Sequence, residues 1–246
     1  MIVANWKCNG SREMIEDWSK HYKDTYIPFD KTFIGVAPPY LYVEQLMNSI
    51  NANGLDIKIG VQDIDISSGA RTSATSVDMI QDMECQFTII GHSERRNIFN
   101  ESNESISAKL DSVGSKVEII LCVGESAEEN NNKKTKNVLE DQLSIINGKI
   151  MPSSLSIAYE PVWAIGTGNT PTPDEINDIH KFIKDVVQSS TENSIVPNVL
   201  YGGSVNDANA ESLFKEDNVD GALIGGASLQ GKSFADIVNI FNGKAI

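Results

Sequence analysis

Short apolar runs of strand length recur along the chain, and most of them are separated by segments with helical periodicity. Many of these runs are apolar at consecutive positions, which is typical of strands covered on both faces. Eight strands are predicted, at residues 2–6, 33–37, 57–61, 87–91, 118–123, 156–160, 198–202 and 221–225. Between strands, apolar side chains recur every three or four positions, most clearly at residues 43–50, after Pro39, and at residues 234–241. This spacing predicts amphipathic helices.

The order of strand and then helix, repeated, makes neighbouring strands parallel with right-handed connections. Two α/β architectures satisfy this rule: an open doubly wound sheet and a closed eight-stranded barrel. Strand number and chain length favour the second, a parallel eight-stranded (β/α)8 barrel. We expect a single domain over residues 1–246, a length that such barrels commonly hold around one core.

Two polar stretches interrupt the pattern. The run SAEENNNKKTKN at residues 126–137 has the composition of a linker, but the strand and helix rhythm continues on both sides. We predict a solvated loop and a helix start there. The second stretch, ISSGARTSATS, runs from Ile66 to Ser76 and follows a strand, so we expect a long exposed loop.

Composition and charge narrow the function. Apolar residues make up 40% of the chain and charged residues 22%, as in ordinary globular proteins. The net charge of −14 opposes general affinity for nucleic acids or anionic membranes, so we expect neither partner. Backbone N–H groups at helix starts can still bind a phosphate locally. Without an apolar run of about 18 residues or a signal-peptide pattern, cytoplasmic residence is expected.

The three cysteines, Cys8, Cys85 and Cys122, lack the paired spacing of a zinc or redox site. We predict reduced thiols that pack as small apolar side chains.

Candidate chemistry collects at the ends of the predicted strands. In a parallel barrel the carboxyl ends of the strands converge on one face, where polar side chains can meet. The sequence places four such residues there and adds glycine pairs after the last two strands: Asn5, Lys7, His92, Glu160, Gly202-Gly203 and Gly225-Gly226. Each feature is weak alone, so their joint placement is the signal.

Other interpretations of these residues stay open at this point. Glu94, Arg95 and Arg96 are equally consistent with the charged first turn of a surface helix that is capped near Ser93. Ser93 is a poor nucleophile candidate, because GHSER lacks the glycine two residues after the serine of a hydrolase elbow. Glu160, followed by proline, is either a helix start or a base at a strand end beneath a lid.

Five segments resemble the triosephosphate isomerase family, in the family's order along nearly the whole chain. They are NWK at residues 5–7, GHSERR at 91–96, AYEPVWAIGTG at 158–168, YGGSV at 201–205 and GALIGGASL at 221–229. The resemblance implies interconversion of dihydroxyacetone phosphate and D-glyceraldehyde 3-phosphate through an enediolate. It implies no cofactor and no metal, and a place in glycolysis and gluconeogenesis.

The resemblance also implies roles for the catalytic residues. Glu160 would be the base, and His92 would polarise the carbonyl as a neutral imidazole, its charge suppressed by the helix that it precedes. Lys7 would stabilise the developing oxyanion and offset the charge of the substrate. Asn5 would position Lys7 and donate a further hydrogen bond, while Glu94 would orient Lys7 and support proton movement.

A small phosphorylated triose is the implied substrate, held by Asn5, by Lys7 and by backbone N–H groups. The resemblance implies that these donors belong to four residues, Gly166, Ser204, Gly225 and Gly226. Residues 161–163 resemble the first hinge of the family's lid, and residues 164–168 resemble its tip. Asn169-Thr170-Pro171 stands where the family commonly has Lys-Thr-Ala, so we expect a stiffer second hinge.

The loop from Ile66 to Ser76 resembles the family's dimer loop, and a homodimer is expected through it. Ser73-Ala74 stands where Gly-Glu usually follows the threonine, which removes an expected partner for Arg95 across the interface. Thr72 would still reach the partner's site beside Lys7, and Cys8 would line the receiving pocket.

Two other functions compete with an isomerase. Another phosphosugar barrel, such as a synthase, fits the phosphate-binding glycines but not Lys7, His92 and Glu160 together. A catalytically silent barrel that acts as a binding protein predicts a damaged site, whereas all three residues are present.

Overall fold

The computed structural model describes residues 1–29, 31–165 and 170–243, and its eight strands form a closed parallel barrel. Each strand pairs with the next in the chain, and the last pairs with the first. The strands are β1 Ile2–Asn5, β2 Ile34–Ala37, β3 Lys58–Val61, β4 Phe87–Ile90, β5 Glu118–Val123, β6 Leu155–Tyr159, β7 Asn198–Tyr201 and β8 Gly221–Ile224. The predicted barrel is confirmed, and the open sheet is excluded.

Helices connect the strands on the outside of the barrel. Those in the described part are α1 Arg12–Thr25, α2 Val43–Asn53, α3 Val77–Asp82, α4 Ser93–Ile98, α5 Asn103–Val113, α6 Ala127–Asn131, α7 Thr135–Leu143, α8 Pro173–Ser190, α9 Asp207–Phe214 and α10 Gly231–Phe241. Side-chain caps explain several starts. Thr172, for example, accepts a hydrogen bond from the N–H of Glu175, whose carboxylate accepts one in return.

Five strands end one residue earlier than the apolar pattern predicts. Their predicted last residues lie just outside the strand: Trp6, Gly91, Glu160, Gly202 and Gly225. Each begins a loop on the carboxyl face of the barrel. The apolar pattern continues past the strand ends because these positions remain buried or partly buried, although the chain is already turning.

The polar run at residues 126–137 is more helical than predicted. Ser126 and Glu129 form a capping box that starts α6 at Ala127, and only residues 132–134 separate α6 from α7. The capping pair stabilises a short helix whose composition alone is typical of a loop.

The strands lie between two apolar layers, one inside the barrel and one between the strands and the helices. Val3, Phe87 and Leu200 belong to the cluster inside the barrel, whereas Ile2 and Ala4 belong to the larger cluster that packs the strands against the helices. Burial on both faces explains the continuous apolar runs of the sequence. The outer cluster fixes the strand ends, because an aromatic group packs α1 and α10 against the carboxyl end of β1: Trp6, Trp18, Tyr22 and Phe234.

No helix in the described ranges is long and apolar enough to cross a membrane. All three cysteines are free thiols; Cys85 and Cys122 are buried, and Cys8 is exposed. That one domain extends over all of residues 1–246 remains a prediction, because residues 244–246 lie outside the described part of the chain.

Candidate active site

A cavity of about 340 Å³ opens at the carboxyl end of the barrel. It is lined by residues at or just after the carboxyl ends of β1, β4, β6, β7 and β8, among them Asn5, Lys7, His92, Glu160, Ser204, Gly225 and Gly226. Glu94 is not part of this lining but contacts Lys7. Gly166 lies outside the described residues. The fold therefore brings together, from distant parts of the sequence, the described residues that were singled out at the strand ends.

Glu160 is held between two glycines of the neighbouring strand ends. A Cβ atom on Gly124, after β5, would lie 1.8 Å from the backbone oxygen of Glu160. A Cβ atom on Gly202, after β7, would lie 2.8 Å from Cγ of Glu160. Any larger residue at either position would displace the glutamate. Its side chain is only 2% exposed and reaches the cavity because these glycines leave room for it.

His92 is the N-cap residue of α4 and Ser93 is its first residue, which agrees with the expected helix cap near Ser93. Its Nδ1 atom accepts a hydrogen bond from the N–H of Glu94 at 3.2 Å, so this nitrogen carries no proton in the arrangement. The proton of a neutral ring then lies on Nε2, 2.9 Å from Oε1 of Glu160. The start of α4 thus selects the tautomer that directs an N–H into the cavity.

The two side chains shift each other's pKa. Burial alone would raise the pKa of Glu160, but the His92 ring and the Ser93 N–H, 2.8 Å from Oε2, hold it below its usual value. Burial alone would lower the pKa of His92, but the Glu160 carboxylate outweighs burial and raises it above its usual value, opposite in direction to the suppressed charge that the family resemblance implies. Both oxygens of Glu160 are engaged by protein groups, so the carboxylate must release at least one to reach a substrate carbon.

Lys7 is fixed by three contacts and a strained backbone. Its φ of 51° lies in the left-handed region, which is costly for a lysine and is characteristic of functional sites. Its N–H donates to Oδ1 of Asn5 at 3.0 Å, and its Nζ donates to Oε1 of Glu94 at 2.7 Å. Gln62 donates to the backbone oxygen of Lys7 at 2.9 Å. The sequence analysis missed Gln62, although it directly follows β3 and the strand-end rule points to it.

The opposite wall of the cavity is formed by the glycine-containing loops. Gly225 faces Lys7, and a Cβ atom on this glycine would lie 3.4 Å from Cε of the lysine, in ordinary van der Waals contact. The hydroxyl of Ser204 donates to the backbone oxygen of Ala164 at 2.8 Å and ties the loop after β7 to the first part of the segment after β6. Leu223 and Ile165 add apolar surface between these polar groups.

Glu125 is a second buried carboxylate that the sequence analysis missed. Its carboxylate accepts hydrogen bonds from Nε1 of Trp163, at 2.8 Å, and from the hydroxyl of Tyr159. Burial raises the pKa of Glu125, partly offset by these two donors. Glu125 is the second residue after β5, so its position just past a strand end was a usable signal. It anchors the tryptophan of the segment that resembles the first lid hinge.

Comparison with known proteins identifies the family. A family model described as triosephosphate isomerase matches residues 1–241. The chain belongs to the triosephosphate isomerase family. Triosephosphate isomerases of Erwinia tasmaniensis, Klebsiella pneumoniae and Escherichia coli K12 are each 39% identical to it over 245 residues, covering 97% of this chain and 95% of theirs.

Membership of this family assigns an isomerase reaction, the interconversion of dihydroxyacetone phosphate and D-glyceraldehyde 3-phosphate, and with it a place in glycolysis and gluconeogenesis. The synthase alternative is wrong, and nothing in the site favours a catalytically silent barrel, since Lys7, His92 and Glu160 line one cavity.

Proposed function

We propose that Glu160 is the base of the isomerase reaction, that His92 is the electrophile, and that Lys7 stabilises the negative charge of the enediolate. The observation that carries the proposal is the 2.9 Å contact between Glu160 and His92 in the same cavity as Lys7. Removing a proton beside a carbonyl needs a base at the carbon and a donor at the oxygen, because the carbanion alone is too unstable.

The proton movements follow from this assignment. Glu160 removes the proton beside the carbonyl, while the Nε2–H of His92 donates to the carbonyl oxygen and moves protons between the two oxygens. Asn5 positions Lys7 through the hydrogen bond to its backbone N–H, and Glu94 orients the lysine ammonium group. Lys7 lines the cavity and places a positive charge there, in a chain whose net charge is −14.

We assign the substrate phosphate to the glycine-containing wall of the cavity. The donors are the backbone N–H groups of Ser204, Gly225, Gly226 and, in the lid, Gly166. Support comes from the position of Ser204, Gly225 and Gly226 in the lining of the same cavity, after β7 and β8, where barrels commonly bind phosphate.

The test is isomerisation of glyceraldehyde 3-phosphate in a coupled spectrophotometric assay, comparing the native chain with Glu160→Asp. The shorter side chain withdraws the carboxylate by about one methylene, and misplacement of about 1 Å can cost about 10²-fold in rate. We expect kcat to fall by about that factor or more. The matched control is Glu118→Asp at the start of β5, at the opposite end of the barrel.

An equal loss of activity in both variants would mean that Glu160 is only structural. Absence of turnover in the folded native chain would instead favour a silent barrel.

We also propose that the chain forms a homodimer through the loop from Ile66 to Ser76. Several large apolar side chains near this loop, or on the elements that contact its base, are exposed in the single chain: Tyr40, Leu41, Ile66, Met79, Met83, Ile98 and Phe99. Tyr40 bonds to the backbone of Asp63, and Phe99 packs on the Arg95 guanidinium at 4.5 Å. Because this loop resembles the family's dimer loop, a second copy of the chain is the partner that these exposed side chains favour.

Arg95 has a partner within its own chain, since its Nε lies 3.2 Å from Oδ2 of Asp63. The arginine therefore does not depend on the glutamate that Ala74 replaces. Sedimentation at micromolar concentration tests the dimer, and a monomer there would contradict it. Cytoplasmic residence stays a proposal, with the buried thiols of Cys85 and Cys122 in its favour.

A further inference from the structure

Glu160 lines two separate cavities. The first is the cavity that also holds Lys7 and His92. The second cavity, which we call the rear cavity, measures about 260 Å³. Besides Glu160, the residues of its lining that matter here are Ser93, Arg96, Asn97, Asp141 and Gln142. The two oxygens of Glu160 contact different cavity walls. Oε1 contacts His92, which lines the first cavity, and Oε2 accepts the N–H of Ser93, which lines the rear cavity.

The chemistry of the rear cavity suits water rather than an anion. All three guanidinium nitrogens of Arg96 donate to protein oxygens. The amide of Gln142 both donates to and accepts from the backbone of Gly124. The remaining charged groups that face the cavity are the carboxylates of Glu101, Glu129 and Asp141, which offer acceptors. A polar space of this size has room for several water molecules.

The rear cavity also reaches bulk solvent. Asn97 and Asp141, on α4 and α7, are exposed and lie at its rim, whereas Glu160 at its inner end is 2% exposed. When substrate occupies the first cavity, the water that remains within reach of Glu160 is therefore the water of the rear cavity.

We propose that the rear cavity is where the proton taken up by Glu160 exchanges with solvent during turnover. The proposal rests on the proposed role of Glu160 as the base. In glyceraldehyde 3-phosphate the C2–H bond breaks and its electron pair forms the C1–C2 double bond of the enediolate, while the π pair of the C1 carbonyl moves onto its oxygen and the proton moves to the carboxylate. The carboxylic acid then either returns this proton to C1 or exchanges it first. In exchange, the acid gives its proton to a rear-cavity water and takes one back, so charge and atoms balance.

Isomerisation in D2O separates these two fates. A proton returned directly leaves hydrogen at C1 of dihydroxyacetone phosphate, whereas exchange leaves deuterium there. Two variants place an indole in the mouth of the rear cavity from opposite sides, Asn97→Trp and Asp141→Trp. The matched controls are Asn97→Ala, which widens the mouth, and Glu140→Trp, which puts the same indole on the neighbouring exposed position that does not line the cavity.

We expect each indole in the mouth to reduce at least by half the deuterium at C1, measured by NMR at early conversion, with kcat/KM within about twofold of native. Both controls should retain the native deuterium content. Native deuterium content in both mouth variants, or an equal fall in Glu140→Trp, would overturn the proposal while isomerisation continues. Loss of the Glu160→Asp effect on kcat would instead overturn the assignment of the base, so the two failures are distinguishable.

Discussion

The Nε2 atom of His92 lies 2.9 Å from Oε1 of Glu160, so the two groups proposed as electrophile and base touch each other. The glutamate lies between Gly124 and Gly202, and the histidine ring accepts the N–H of Glu94 in the first turn of α4. Two rigid strand ends and one helix start therefore set this distance. Chemistry that needs both groups at neighbouring atoms depends on this rigidity.

Glu94→Gln tests how far activity depends on the orientation of Lys7. The change removes the charge that holds Nζ at 2.7 Å but keeps the shape of the side chain. Because both side chains are partly exposed, the free energy of unfolding should fall by no more than about 1 kcal/mol. We expect kcat/KM to fall by about 10-fold to 10²-fold, since misplacement by about 1 Å can cost that much.

The control for this change is Asp185→Asn, which removes the partner of Lys181 in an exposed pair on α8. Kinetics and urea unfolding should be native in that variant. A native kcat/KM for Glu94→Gln would show that the ion pair is only structural.

Ser73→Gly should stabilise the protein. Ser73 has a φ of 70°, in the left-handed region, which costs a non-glycine residue about 1–2 kcal/mol. Glycine relieves this cost but loses about 0.5–1 kcal/mol of chain entropy, so we expect a net gain of roughly 0.5–1 kcal/mol in the free energy of unfolding. Urea unfolding at fixed protein concentration measures it.

Ser68→Gly in the same loop is the matched control, because Ser68 is exposed and is not among the residues with positive φ. We expect no gain there. A loss of stability in Ser73→Gly would mean that the serine side chain makes contacts worth more than the strain.

Pro171→Ala should change the opening rate of the lid. Proline fixes its own φ and restricts Thr170 before it, so the second hinge has fewer conformations available than one with alanine. We expect faster lid motion in the variant, measured by temperature jump or NMR exchange. Pro152→Ala, just before β6 and far from the hinge in the chain, is the control, and identical rates in native protein and Pro171→Ala would refute the stiff hinge.

His180 should make the protein less stable in mild acid. It is fully buried on α8, and burial lowers its pKa from 6.5 to about 3. Below pH 6.5 the unfolded chain binds a proton that the folded chain does not, so stability falls as pH falls through this window. The loss is about 1.4 kcal/mol per pH unit until about pH 3.

His180→Gln removes this titration and keeps a donor for the backbone oxygen of Asn218, which lies 3.2 Å from Nδ1 of the histidine. Between pH 7 and pH 5 the native chain should lose about 2 kcal/mol more stability than the variant, as measured by urea unfolding. Equal slopes in the two proteins would show that another group dominates this range. His21→Gln, at an exposed histidine on α1, should behave as the native chain does.

The pattern of residues along the chain is enough to predict the architecture. Continuous apolar runs alternating with helical periodicity predict parallel strands buried on both faces, and their number predicts a closed barrel. Because the carboxyl ends of parallel strands converge, the sequence alone points to Asn5, Lys7, His92 and Glu160 as residues that meet. These properties are local or topological, so they can be read from spacing alone.

How those residues meet depends on contacts that spacing along the chain does not reveal. The gap that Gly124 and Gly202 leave for Glu160, the support of Lys7 by Gln62, the burial of Glu125 and the rear cavity all depend on contacts between segments distant in the chain. The choice of His92 as the cap of α4, and the helix within the polar run, depend on side-chain hydrogen bonds. Residue type and spacing leave such choices nearly equal in energy, and packing in three dimensions selects one.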